Sequence, residues 1–128
     1  MATIIPNVGL DWLADRSVGV IDDELWYVAV GEGTASPHES DTSLELELYR
    51  TNKEESNASI SRGPSTGEIT CSISVAGGTE VNAGDTITEI GVFTEGDVLA
   101  YREVRESIEI GEGQRLTFEF NIDIEDGQ

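Results

Sequence analysis

Gly63-Pro64-Ser65-Thr66-Gly67 spells the G-x-S-x-G pattern in which a hydrolase serine stands on a sharp turn, poised to attack a carbonyl. That chemistry requires a strand before the turn, a helix after it and a histidine later in the chain. Here a period-two apolar run follows Gly67, and the single histidine, His38, lies upstream, so the pattern reads as a turn. In Ser36-Pro37-His38-Glu39-Ser40-Asp41 the imidazole with Glu39 or Asp41 would make at most a partial metal site, and a loop histidine is the simpler reading. Zinc wants a tetrahedral set rich in nitrogen and sulfur, which one His and one Cys do not supply. Calcium takes oxygens, and Asn121, Asp123 and Glu125 alternate as its first ligands would, but Asp126 stands where an EF-hand loop turns on glycine.

Other signals are equally thin. With 26 acids, any fold places some carboxylate pair at a glycosidase separation, so abundance alone specifies nothing. Gly31-Glu32-Gly33 and Gly111-Glu112-Gly113 lack the third glycine and the helix start of a nucleotide fingerprint and read as turns. Asn57-Ala58-Ser59 is a glycosylation sequon, but no export signal accompanies it. We expect no catalytic residue, cofactor or resident metal, and read the chain as not being an enzyme.

Charge says more about setting. Seven basic against 26 acidic residues give a formal net charge of -19, and Lys53 is the sole lysine. Self-repulsion of this size opposes a compact state in dilute buffer. At about 1 M salt the Debye length falls to roughly 3 Å and the repulsion nearly vanishes. The acids are scattered and apolar residues make up 38% of the chain, which argues for a folded, salt-adapted protein over a disordered acidic tail. A nucleic-acid mimic or a binder of basic partners are the rival readings. Direct nucleic-acid binding is disfavoured, because affinity for phosphates needs clustered Lys and Arg. No apolar stretch is long enough to span a membrane as a helix, and the N-terminus lacks a secretory signal, so use without Sec export is expected.

The elements that must position these residues are mostly strands. A short helix is expected over residues 9–16, with Asn7 as a candidate cap. Leu25-Trp26-Tyr27-Val28-Ala29-Val30 reads as a mostly buried strand. Leu44, Leu46 and Leu48 alternate with Glu45, Glu47 and Tyr49, a pattern with one buried face. Further strands are expected where Ile69, Cys71, Ile73 and Val75 alternate, over 86–93, over 98–105, and over 116–124, where Leu116, Phe118, Phe120, Ile122 and Ile124 share a face. Cys71 reads as a small buried hydrophobe. Thr94-Glu95-Gly96-Asp97 and Gly111-Glu112-Gly113-Gln114 look like hairpin turns. Two longer connections, 34–43 and 52–67, remain, and the second is expected to be mobile or to order only against a neighbour. The expected fold is all-β: an antiparallel sandwich or partly open barrel of about six to eight strands with a short N-terminal helix, forming one domain over residues 1–128.

Four segments taken in order carry a resemblance. They are Trp26-Tyr27-Val28-Ala29-Val30-Gly31-Glu32-Gly33-Thr34, then Asp41-Thr42-Ser43-Leu44 with Leu48 and Arg50, then Thr88-Glu89-Ile90-Gly91-Val92-Phe93, and then Leu99-Ala100-Tyr101-Arg102. Together they resemble small structural proteins of tailed viruses, in the tail-fibre, tail-collar and baseplate group. The chain departs from that group late in its final strand, where members often carry a basic or aromatic residue and this sequence has Asp123, Glu125 and Asp126. With the charge, the resemblance implies a virion component of a haloarchaeal virus, assembled in the host cytoplasm. Its partners would be other virion proteins and copies of itself in a ring or trimer, with a host surface glycan as a further candidate. A capsid decoration or turret protein, or a free halophilic carbohydrate-binding module, is the alternative.

The matched residues also have physical roles to offer. Gly31 and Gly33 would end the first core strand through positive φ or close backbone approach. Asp41 or Thr42 could cap the turn before Leu44. Glu89, in an otherwise apolar strand, would face solvent or lie partly buried against Arg50 or Arg102. Gly91 beside Phe93 suggests close packing of a backbone or ring. Residues 52–67 would serve as a contact arm.

If the acids are a salt-adapted coat, the thermal midpoint followed by circular dichroism should rise by roughly 10 °C or more between about 0.1 M and about 3 M KCl. A flat or falling midpoint would remove the halophilic reading.

Overall fold

The structure is a computed structural model and describes residues 2–123. Ile124, Glu125 and Asp126, named above for the last strand, the calcium spacing and the chain's ending, lie outside the described residues. The order is β1 (Ala2–Ile4), α1 (Asn7–Ser17), β2 (Leu25–Gly31), β3 (Glu47–Asn52), β4 (Ala58–Arg62), β5 (Glu68–Ala76), β6 (Thr86–Thr94), β7 (Leu99–Glu109) and β8 (Arg115–Asp123). Two antiparallel sheets form, one of five strands in the order β1-β7-β6-β2-β3 and one of three in the order β4-β5-β8. The fold is all-β and sandwich-like.

Alternation explains the smaller sheet. In β5, Cys71, Ile73 and Val75 are buried, while Ser72 and Ser74 between them reach the other face. In β8, Phe118, Phe120 and Ile122 do the same, and each lies opposite a β5 apolar residue. Their inward side chains meet Val28, Val30, Ile90, Val92 and Tyr101 from the larger sheet in one core cluster, with Tyr101 stacked on Phe120 at 5.6 Å between ring centroids. The larger sheet is different. β6 is buried at every residue from Ile87 to Thr94, and β2 from Val28 to Gly31, so both faces of these central strands are covered. On the face away from the main core, Ala29, Leu44, Phe93 and Leu99 form a second cluster, with Val8 and Tyr27 packed against it. Helix α1 and segment 32–46, here called the strap, supply that cover.

Several expectations need correction. The helix runs from Asn7 to Ser17, and its cap is Pro6, with no side-chain cap bond; the Asn7 amide instead donates to Glu39 O in the strap. Gly9, which weakens an isolated helix, is buried because a Cβ there would lie 3.0 Å from Ala100 Cα and Leu99 O, so it permits close docking on β7. The leucine alternation does not form a strand with one buried face. Pairing begins only at Glu47; Leu44 is buried in the second cluster, Leu46 is 54% exposed and Leu48 packs at the edge of the main core. Segment 52–67 does not need a neighbour to order, since it contains β4, paired with β5 from Ala58↔Ile73 to Arg62↔Ile69. Its only large apolar residue is Ile60, too little periodicity to announce a strand. The three-residue β1 was likewise too short to read. β7 continues beyond residue 105 to Glu109, where its last residues are exposed and polar except for Ile108.

Cys71 has no exposed surface, and burial pushes its thiol up to about 12. Because the folded state disfavours the thiolate, its contribution to stability is complete below the ordinary thiol pKa of about 8.5. That contribution is lost as pH rises from there through the folded value. At pH 8 the native protein should react with a maleimide at least about a hundredfold more slowly than the unfolded chain, read by mass spectrometry. Equal rates would show that the β5–β8 core opens readily.

Candidate functional site

β6 aims one carboxylate into the interface between the larger sheet and the strap. Glu89 is fully buried, and its two oxygens accept four hydrogen bonds. Oε1 takes Arg102 Nε and the Glu45 amide, both at 3.0 Å. Oε2 takes the Gly33 amide at 2.9 Å and the Leu46 amide at 2.8 Å. This fills the acceptor capacity of an ionised carboxylate.

Arg102, on the neighbouring strand β7 and 2% exposed, completes the node. Its Nη1 donates to Asp41 Oδ2 at 3.1 Å and its Nη2 to Ala35 O at 3.0 Å, so all three of its nitrogens are engaged. Asp41 also accepts the His38 amide at 2.9 Å, which closes the turn 38–41 before it rather than the turn into Leu44. Thr88 Oγ1 donates to Gly33 O at 2.7 Å. One residue further into the strap, Glu45 Oε1 accepts the amides of Thr34 and Ala35, which hold its carboxyl below the usual range.

The glycines are explained by this packing. Neither Gly31 nor Gly33 has positive φ. A Cβ on Gly31 would sit 2.4 Å from Leu46 O and 2.6 Å from Glu89 Oε2, and one on Gly33 2.6 Å from the same oxygen. Close approach, not turn geometry, is their role. Gly91 serves the adjacent apolar patch, where a Cβ would meet Leu44 Cδ2 at 2.6 Å and Phe93 Cε1 at 3.2 Å.

The node brings together Gly31, Gly33, Asp41, Glu89 and Arg102, with Leu44, Gly91 and Phe93 beside them. Of the two arginines considered for Glu89, Arg102 is its partner and Arg50 is not. Arg50 stacks over Phe93 at 3.8 Å and pairs with Glu47 and Asp97 at the rim. The solvent-facing alternative for Glu89 is overturned by its complete burial. Trp26 stands apart at the start of β2, beneath the Lys53 ammonium at 5.2 Å.

A second buried acid, Glu103, lies on β7. It accepts the Tyr101 hydroxyl at 2.8 Å and pairs with Arg105, whose Nη2 reaches the Glu119 carbonyl on β8. Burial, then this bond to a carboxylate, pushes the Tyr101 hydroxyl pKa up. The chain Tyr101-Glu103-Arg105-Glu119 ties the two sheets together.

The motifs with chemical potential resolve into structure. Ser65 lies in the turn joining β4 to β5, closed by Gly63 N to Glu68 O at 2.8 Å, with strands on both sides and no helix following. His38 Nδ1 is bonded to Ser40 Oγ at 2.7 Å. Asn121 and Asp123 sit on β8 opposite Thr70 and Glu68, in a regular ladder rather than a loop. Asn57 of the sequon donates its amide to Tyr49 Oη and Ser74 O and accepts Thr51 Oγ1, so it joins the β3–β4 connection to both neighbours. Among the described residues no three His, Cys, Asp or Glu side chains gather as a metal-binding group.

Glu89→Ala should lower unfolding free energy by about 3–5 kcal/mol in guanidinium titration at high salt, because it strands a buried guanidinium and three strap amides. The paired replacement Glu89→Leu with Arg102→Met should cost less than the sum of the two single changes, a coupling of at least about 1 kcal/mol. Additive losses would show that the two side chains act separately.

No protein-family model matches this chain, and no curated protein matches it in sequence.

Proposed function

We propose that the chain is a non-enzymatic structural protein of a tailed virus of a halophilic archaeon, acting in tail, baseplate or fibre assembly or attachment through protein contacts. One observation carries the reading: eight residues of the ordered resemblance form one framework on the larger sheet, with Trp26 and Arg50 outside it. Gly31, Gly33, Asp41, Leu44, Glu89, Gly91, Phe93 and Arg102 hold the strap to the sheet, and the Glu89 carboxylate at the centre is fully buried.

The surface supports contact with protein over contact with sugar. Among the described residues, the exposed large hydrophobics are Leu10, Val18, Val20, Leu46 and Ile108, all aliphatic. Glycan platforms rely on exposed aromatic faces. The acidic coat fits assembly in a saline cytoplasm and then work on the virion, where short-range contacts between subunits survive screening.

Light scattering coupled to size exclusion in about 3 M KCl should show a closed homo-oligomer, a ring or trimer, with no glycosidase turnover. A strictly monomeric protein that binds a sugar or hydrolyses a glycoside would sink this reading.

A further inference from the structure

Cations are scarce in this chain, and their placement is uneven. Of the seven, Arg50, Lys53, Arg102, Arg105 and Arg115 each stand in an ion pair. Arg16 and Arg62 have none with any described residue, and both are exposed. These two line one groove with Lys53, about 330 Å³ in volume, at the end of the sandwich where α1 and β4 finish and β2 and β5 begin. Among the described residues the one acid lining it is Glu24, which Lys53 engages; that bond, then the ammonium's charge and, more weakly, Arg16 hold its carboxyl below the usual range. Three cations against one acid among its described lining residues give the groove surplus positive charge on a chain of net charge -19.

Its apolar lining is equally marked. Trp12, Ile60 and Ile69 are half-buried at the end of the core and present carbon to the groove. We propose that this groove docks an acidic peptide segment bearing an apolar side chain, supplied by a neighbouring protein chain in the assembly. Each free guanidinium can grip a carboxylate with two parallel N–H bonds, and the floor takes the apolar side chain. In concentrated salt, long-range attraction is screened, so only contact pairs and apolar burial remain to hold a partner. The groove offers both. Two free arginines on so acidic a chain make no track for a phosphate backbone, which favours a peptide over nucleic acid.

The inference rests on the assembly reading for its biological role, but a titration tests the groove by itself. The full chain in about 3 M KCl would be titrated with the blocked hexapeptide Asp-Glu-Leu-Phe-Glu-Asp while tryptophan fluorescence is read, since Trp12 lines the groove. Saturable binding tighter than about 1 mM is expected. Arg16→Glu with Arg62→Glu should weaken it about tenfold or more, while Arg115→Glu, outside the groove, leaves it unchanged. Replacing the central Leu-Phe by Gly-Ser should also cost about tenfold. A thermal midpoint of the double variant near that of the parent shows that it remains folded.

The inference is overturned by absent saturation, by equal binding to the double variant, or by equally tight binding of the Gly-Ser peptide or of inorganic polyphosphate. Sugar binding by a monomer would defeat the assembly reading and leave the peptide result standing.

Discussion

A carboxylate shut away from water must have its lone pairs filled, and in this protein the fold is arranged around doing so for Glu89. Its donors come from three places in the chain: Arg102 on β7, Gly33 just after β2, and Glu45 with Leu46 just before β3. The strap leaving β2 must therefore return within reach of β6 before β3 can start. The β2–β3 register shift between Val30 and Gly31 lies at that return. A buried ion pair is weak support for stability relative to apolar packing, because desolvation offsets most of the attraction. What this one contributes is a fixed meeting point for the strap, whose Gly33, Glu45 and Leu46 amides all reach the same carboxylate.

The strap's path changes the burial of the larger sheet. With the strap and α1 over its outer face, β2 and β6 are enclosed on both sides, so β2 reads as a nearly continuous apolar run and β6 is buried even at Thr88, Glu89 and Thr94. Among the described residues the three-stranded sheet has no such cover. Its β5 and β8 alternate, with Ser72 on one strand and Glu119 and Asn121 on the other facing away from the core. The acids responsible for the charge thus stand where salt can screen them, while Glu89 and Glu103 are neutralised at contact distance by arginines. One protein holds two electrostatic regimes: a coat sensitive to ionic strength and interior pairs shielded from it.

The chain's own pattern specified a good deal. The alternation of Ile69, Cys71, Ile73 and Val75, and of Leu116 through Ile122, carries its own burial in a period of two, because only one face of those strands is covered. The unusual glutamate in the apolar strand of β6 marked Glu89 as a constrained position, though the sequence left its burial and its partner open. β4 carries no such signal, because its stability comes from pairing with β5, whereas its own apolar content is one isoleucine and one alanine. The leucine run misled for a related reason: the Glu45 and Leu46 amides donate to Glu89, which holds the chain off the sheet until Glu47.

Local periodicity by itself determined the all-β class, the helix near the N-terminus and the strands whose burial is one-sided. Tertiary structure alone decided which arginine meets Glu89, why Gly31 and Gly33 lack side chains, and where Arg16 and Arg62 converge. These depend on contacts between residues far apart in sequence, with Glu89 lying 56 positions from Gly33. Hydrophobic patterning records which face of a strand leaves water, but the donors that a buried charge gathers are set by which segments fold back beside it.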